Sequence, residues 1–345
     1  MTLLGSGGMG DVYFAVSPTA DPVAVKVIRP DLVSGHLVRE RFASEVENLK
    51  MIFGSRVARL EDADPYGDPA WLAVEYIPGL TLKQYVEIRG PLPPDLAAMI
   101  GAMLASGLDK VHQGGLLHRD LKPQNIILGP TGPVLIDFGL AVLAERERET
   151  ELTETGVPVG TPAYMAPEQA RGDRDLTAAT DVYGLGATLV LALTGHTPYP
   201  GTARYAVLHR ITDPNDLPDL TGVPAPLAPL IGAMLAFDPS ARPALTTVAK
   251  RLLNVATGAG RSAAEVRAVV AEVAYDDTRR IEVPRPLTDP VTDPEALNPD
   301  PDPGSDPAPD PPPGHDGRTP KPTPSTDVTW LMERLRRQYA RRSTL

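Results

Sequence analysis

The 345-residue chain contains no cysteine. That excludes a disulfide framework, a thiolate zinc site and a catalytic thiol. It also lacks an apolar run of about 18 residues, so no membrane span is expected. The longest apolar segment, Val182–Thr194, is interrupted by Gly184, Gly186 and Thr188 and reads as a buried helix. No secretory leader is expected, because Met1 runs straight into a glycine-rich turn. Aromatic residues are scarce, yet 42% of the chain is hydrophobic, enough for a core. Positive charge is in deficit: the net charge is −11. So acidic a chain is not expected to bind nucleic acid as its main task.

The length predicts about two domains, or one large domain and a tail. Residues 1–255 show mixed periodicity with ordinary turn signals. Alternation at Val12, Phe14 and Val16, then Val23, Val25 and Val27, predicts strands, and residues 70–77 predict another. Val38, Phe42, Val46 and Leu49 mark a helix over 37–52, and helical patterns dominate from residue 95. A helical extension is expected within 256–280, capped by Ser262 and striped by Val266, Val269, Val270 and Val273. Residues 281–320 hold thirteen prolines and nine acids against two bases. Such a stretch cannot bury enough apolar surface to offset chain entropy, so 281–326 is expected to be disordered. Trp330, Leu331, Leu335 and Tyr339 among arginines predict a basic amphipathic helix within 327–345.

Three motifs carry chemistry. Gly5-Ser6-Gly7-Gly8-Met9-Gly10-Asp11-Val12 fits a glycine-rich turn whose N–H groups can approach phosphate oxygens. A strand follows it, which disfavours a dinucleotide-binding turn, where a helix would follow. Val23-Ala24-Val25-Lys26 then places a lysine at a strand end, a candidate for the α- and β-phosphates. Glu45 is its expected partner, on the inward helix face beside Leu49, with Glu47 as the competing choice. The most specific motif is His118-Arg119-Asp120-Leu121-Lys122-Pro123-Gln124-Asn125. Asp120 can accept a proton from an attacking hydroxyl, and Asn125 can hold magnesium. Asp137-Phe138-Gly139 follows an apolar strand, and Asp137 is a second magnesium ligand. Turns or caps could explain each acid alone, but not both motifs in this order and spacing.

With these residues in place, the chain resembles the bacterial eukaryotic-like (Hanks-type) Ser/Thr protein kinases over residues 1 to about 255. Ala166-Pro167-Glu168, Asp181 and Arg242 extend the match. The resemblance implies an α+β, bilobal fold, with a small β-rich lobe over 1–77 and a larger helical lobe over 80–255. ATP would lie between them, against Leu4, Gly5, Ser6, Gly7, Gly8, Met9, Gly10, Val12, Ala24 and Lys26. The Glu75 carbonyl and Ile77 amide would hold the adenine, with Val74 as gatekeeper. Lys122 would sit near the γ-phosphate beside Asp120, and with Thr161 it implies Ser/Thr substrates. Glu168 would pair with Arg242, Asp181 would brace the backbone of the catalytic loop through hydrogen bonds, and His118, Arg119, Phe138 and Gly139 would have structural or regulatory roles.

The resemblance further implies autophosphorylation at Thr153 or Thr155, with Arg119 receiving the phosphate, and a homodimer for transfer in trans. The first strand is expected to be short, because only Met1–Leu4 precede the glycine turn. ATP and Mg²⁺ are the implied cofactors, proteins the implied substrates, and the cytoplasm the implied location. Two competing readings were a catalytically weak scaffold and a small-molecule kinase. The first is opposed by Lys26, Asp120, Asn125 and Asp137 together. The second is opposed by the stretch Gly160–Glu168, which suits protein substrates.

Overall fold

Alternating apolar residues build the first part of the chain into an antiparallel sheet. β1 (Thr2–Gly7), β2 (Gly10–Val16), β3 (Pro22–Ile28), β4 (Leu60–Asp64) and β5 (Trp71–Glu75) pair in the order β1-β2-β3-β5-β4. The computed structural model describes residues 2–17, 20–50, 56–138, 162–173, 175–201, 203–258 and 260–275. All lie in one unit spanning Thr2–Ile281. The tail, with its expected disorder and basic helix, lies outside the described residues.

Side chains alternate between the faces of β3, so Lys26 shares a face with Ala24 and Ile28. Lys26 stands opposite Val12 on β2 and Leu72 on β5. α1 (His36–Lys50) closes one side of this sheet. Its Phe42 and Val46 join Ile28, Leu32, Val33 and Leu72 in a small buried core. β1 is the exposed edge along its whole length.

The second part is helical. β6 (Leu80–Thr81), β7 (Ile126–Gly129) and β8 (Gly132–Leu135) form a small sheet beside α2 (Leu82–Arg89) and α3 (Pro94–Gln113). After the one-turn α4 (Pro167–Ala170) comes α5 (Ala178–Thr194), which is buried on nearly every side. Thr177 caps its start, and Gly195 ends it in a left-handed conformation, φ 81°. α6 (Arg204–Thr212), α7 (Ala228–Met234) and α8 (Leu245–Ala256) follow; α7 packs on α5 together with α2 and α3, and α8 packs on α3. α3 and α8 approach closely at Gly101, where an added Cβ would lie 2.9 Å from Leu252 Cδ1. Among the described residues no helix is long and apolar enough to cross a membrane.

α9 (Ala263–Ala274) begins with a reciprocal cap between Ser262 and Glu265. It packs on α3, β7 and β8. Val266 and Val270 are fully buried, Val269 is half-buried, and Val273 emerges to 47% exposure. An Arg261–Asp95 ion pair fixes its approach to α3. α9 is therefore part of the helical core. Val270→Asp is expected to cost about 3 kcal/mol, because an unpaired charge would enter apolar surroundings. That lowers Tm by roughly 6–12 °C. Val273→Asp should stay within about 0.5 kcal/mol, and thermal unfolding of the two variants checks the difference.

Candidate active site

The glycine turn joins β1 to β2, with Gly7 paired to Gly10. Gly10 is demanded by the fold: its φ is +145°, and a Cβ there would collide with the Val27 carbonyl. Gly5 and Gly7 are different, since a Cβ at Gly5 meets nothing within 4 Å and one at Gly7 only the Gly10 oxygen at 4.0 Å. Arg29 holds the turn from below. Its Nη1 donates to the Gly8 oxygen, and its backbone N–H to the Met9 oxygen, both at 3.1 Å.

Lys26 Nζ lies 3.1 Å from Asp137 Oδ2, with only 9% of the lysine side chain exposed. Among the described residues Lys26 makes no ion pair with Glu45. Glu45 is half-buried on the inward side of α1, whereas Glu47 is exposed and pairs with Lys50 at 2.7 Å. Burial alone would raise the Asp137 carboxyl, but the charge and hydrogen bond of Lys26 outweigh it and hold the group below its ordinary value. Asp137 itself adopts a left-handed conformation, φ +64°. A non-glycine residue in that region must be held by its surroundings.

The catalytic loop hangs from α5. The Asp181 carboxylate accepts the backbone N–H groups of His118 and Arg119, each at 2.8 Å, and faces His112 Nε2 at 2.7 Å. Burial pushes Asp181 up, but the hydrogen bond to His112 and its neighbours bring it below the ordinary carboxylate range. Arg119 is also left-handed, φ +60°. Gln169 braces it from the other side, donating to the Arg119 oxygen at 2.6 Å. His118 Nδ1 accepts the Asp120 N–H at 3.3 Å, which leaves Nε2 as the donor to the Ile136 oxygen at 3.1 Å. Its ring meets Phe138 edge-on, 4.2 Å between centroids. One imidazole thus ties Asp120 to the strand end carrying Asp137.

Asp120 is oriented through one oxygen. Lys122 Nζ reaches Oδ2 at 2.6 Å, and Asn125 Nδ2 donates to Oδ2 at 3.1 Å and to the Asp120 backbone oxygen at 2.8 Å. Oδ1 remains for a hydroxyl in the cleft. Because its nitrogen is committed to Asp120, Asn125 has Oδ1 left as an acceptor.

These groups share a cleft of about 770 Å³, which joins the glycine turn, Val12, Lys26, Asp120, Lys122 and Asp137. It continues past Thr81 and Gln84 to Tyr164 and Met165. Burial, with the Glu87 charge, pushes the Tyr164 phenol up to about 12, so it stays neutral there. Leu4, Ala24, Glu75 and Ile77 are not among the residues lining that cleft. Ala24 stands opposite Val74, and the Tyr76 N–H donates to the Pro22 oxygen at 3.2 Å.

Glu168 and Arg242 form a buried bidentate pair at 2.6 and 2.8 Å. Thr180 donates to Glu168 at 3.0 Å, and Arg242 also serves the carbonyls of Ala236 and Ala179. Gly139, Thr153, Thr155 and Thr161 lie outside the described residues.

Residues 1–253 match the family model for the protein kinase domain. The chain belongs to the protein kinase family. It is 42% identical over 243 residues to the serine/threonine-protein kinase AfsK of Streptomyces griseus, covering 70% of this chain and 30% of that protein. It is 34% identical over 249 residues to PknB of Mycobacterium tuberculosis, covering 70% of this chain and 40% of PknB. The chain therefore spans well under half the length of these relatives. Among solved structures it is similar to the M. tuberculosis PknI kinase domain, with TM-score 0.60 and 27% identity over 75% of this chain and 94% of that one. Four residues of this kinase domain escaped the sequence reading: Arg29, His112, Gln169 and Thr180. Each acts on a partner at least twelve residues away in sequence, and none carries a spacing signal of its own.

Removing one partner of the Glu168–Arg242 pair strands a buried charge. Arg242→Met is expected to destabilise the domain by about 3–5 kcal/mol. Burial raises the Glu168 carboxyl, but Arg242 outweighs it and the net shift is downward. The stability it supplies is thus full above the ordinary carboxylate pKa, about 4.3. It is lost as pH falls through the lower folded value. The Tm gap between wild type and Glu168→Gln should accordingly be wide at pH 7, start to shrink as pH falls into the ordinary carboxylate range, and close only below the lower folded value.

Proposed function

We propose that this chain is an ATP-dependent Ser/Thr protein kinase that also phosphorylates its own activation loop at Thr153 or Thr155. One observation carries the reading: Asp120, held through Oδ2 by Lys122 and Asn125, shares a cleft with Lys26 and Asp137 below the glycine turn. The room for a Cβ at Gly5 and Gly7 adds to it, because the fold does not require glycine there. Close approach of a phosphate to the backbone does.

The donor set suits magnesium: one carboxylate, Asp137, and one amide oxygen, Asn125 Oδ1, leaving further positions to phosphate oxygens and water. Among the described residues no cluster of three or more acidic or imidazole ligands competes with it. When bound, Mg²⁺ supplies charge neutralisation on the β- and γ-phosphates. The chain's own residues do the rest. The turn and Lys26 position the phosphates. Asp120 Oδ1 accepts the hydrogen bond of the acceptor hydroxyl, aligns its oxygen with the γ-phosphorus, and takes its proton as transfer proceeds. Lys122, paired with Asp120 Oδ2 at 2.6 Å, orients that carboxylate and would lie beside the transferred group. Catalysis is then mainly positioning and electrostatics.

The likeness to serine/threonine-protein kinases of Streptomyces and Mycobacterium supports protein hydroxyls as acceptors. Transfer in trans between two copies, in the cytoplasm, belongs to the same proposal. The weak-scaffold reading draws on one observation: Lys26 is engaged by Asp137, at 3.1 Å. The deciding measurement is incorporation of label from γ-labelled ATP with magnesium, with phosphosites mapped by mass spectrometry. Label is expected on Thr153 or Thr155, and Asp120→Asn should lose about 10²–10⁴-fold in rate. Equal labelling of the two proteins would overturn the mechanism, and no labelling of folded wild type would favour the scaffold.

A further inference from the structure

The glycine turn is gripped by the strand that carries Lys26. β3 ends at Ile28, and Arg29 follows it, three residues past Lys26. Gly10, at the far end of the turn, seats against the Val27 carbonyl. The backbone N–H of Arg29 then holds the Met9 oxygen, and its Nη1 reaches the Gly8 oxygen, both at 3.1 Å. The end of β3 thus holds Gly10, Met9 and Gly8 in succession.

The guanidinium does not reach the turn unaided. Its other edge, Nε and Nη2, is clamped by the two Asp31 carboxylate oxygens at 3.1 and 2.7 Å. That bidentate fit fixes the plane of the guanidinium and leaves Nη1 aimed at Gly8. The Arg29 hydrogen bond holds the Asp31 carboxyl below its ordinary value, so the clamp stays charged at neutral pH. Gly8 and Met9 line the cleft, whereas Arg29 and Asp31 are not among its lining residues. In a trans peptide the carbonyl and the following N–H point in opposite directions. Holding the Gly8 oxygen toward Arg29 therefore turns the Met9 N–H away from it. At this peptide the donor, rather than the carbonyl oxygen, is left for an anion in the cleft.

We propose that Arg29, clamped by Asp31, is a positioning residue for the nucleotide phosphates, setting the glycine turn at the height where it and Lys26 grip the same phosphate groups. This rests on the protein-kinase reading above and deepens it. Neither Arg29 nor Asp31 touches the nucleotide. Their effect passes through the Gly8 and Met9 carbonyls, so it is confined to the phosphate end of the ligand and leaves the base alone.

The test measures binding to the full chain of ATP with magnesium and, by competition, of adenosine, which lacks phosphates. Arg29→Met is expected to weaken ATP by roughly fivefold and to leave adenosine unchanged. Arg29→Lys keeps the charge but cannot serve Gly8 and both Asp31 oxygens, so it should recover only part of the loss. Asp31→Asn should weaken ATP in the same direction, by less. Tm should barely move in these variants, because both side chains are about half exposed. ATP affinity equal to wild type in Arg29→Met, or an equal loss for ATP and adenosine, would overturn the role of Arg29. A loss fully restored by Arg29→Lys would reduce the effect to net charge and overturn the clamp. Should circular dichroism show Arg29→Met unfolded, Arg29→Lys and Asp31→Asn decide, and wild-type ATP affinity in both overturns the role. A different failure, folded wild type that neither binds ATP nor labels itself, removes the kinase reading and this inference with it.

Discussion

The buried carboxylate of Asp181 is the constraint on which the catalytic geometry depends. It is 1% exposed and sits in the middle of the core, inside the most enclosed helix of the domain. Burying a charge there is tolerable only because three donors converge on it, two of them backbone N–H groups of the catalytic loop. The cost of leaving that carboxylate unsatisfied thus becomes the force that shapes the loop. Arg119 accepts a left-handed backbone as part of the same arrangement, and Gln169 pins its carbonyl from the opposite side. Asp120 follows next in the chain and inherits its position.

A second layer of order connects Asp120 with Asp137. His118 contributes a backbone N–H to Asp181, its ring Nδ1 to the Asp120 N–H, its Nε2 to the Ile136 carbonyl, and a T-shaped ring contact to Phe138. The two acids that a phosphoryl transfer needs are therefore fixed relative to one another through one side chain. The Ile136 N–H adds a bond to the Asn125 carbonyl at 2.9 Å, so the catalytic loop and the β8 end form one unit. The sheet contributes Lys26 across the cleft, and its ammonium lowers the proton affinity of the half-buried Asp137. Preorganised charge of this kind acts without reorganisation when the reacting groups arrive.

Much of the architecture was legible beforehand. Alternation placed β2 and β3, the stripe through Phe42 and Val46 placed α1, and Ser262 marked the start of α9. The bilobal α+β fold matches the family comparison. β4 was not legible. Its sequence, Leu60-Glu61-Asp62-Ala63-Asp64, is acidic and lacks strand propensity. It becomes a strand because the outer edge of β5 offers unpaired backbone groups, and pairing there outweighs local preference. The valine stripe of α9 also misled in one place: Val273, in the last turn of the helix, is exposed to solvent.

By itself the sequence determined which chemistry the chain can attempt. The order and spacing of the glycine turn, Lys26, Asp120, Asn125 and Asp137 are linear facts, and covalent geometry makes them hold for any fold that brings the segments together. Tertiary structure decided the rest. That Lys26 meets Asp137 at 3.1 Å and that Asp120 is held through Oδ2 both depend on groups meeting across packed elements. Such meetings are set by burial, which makes every unpaired polar atom costly, and no reading along the chain contains that cost.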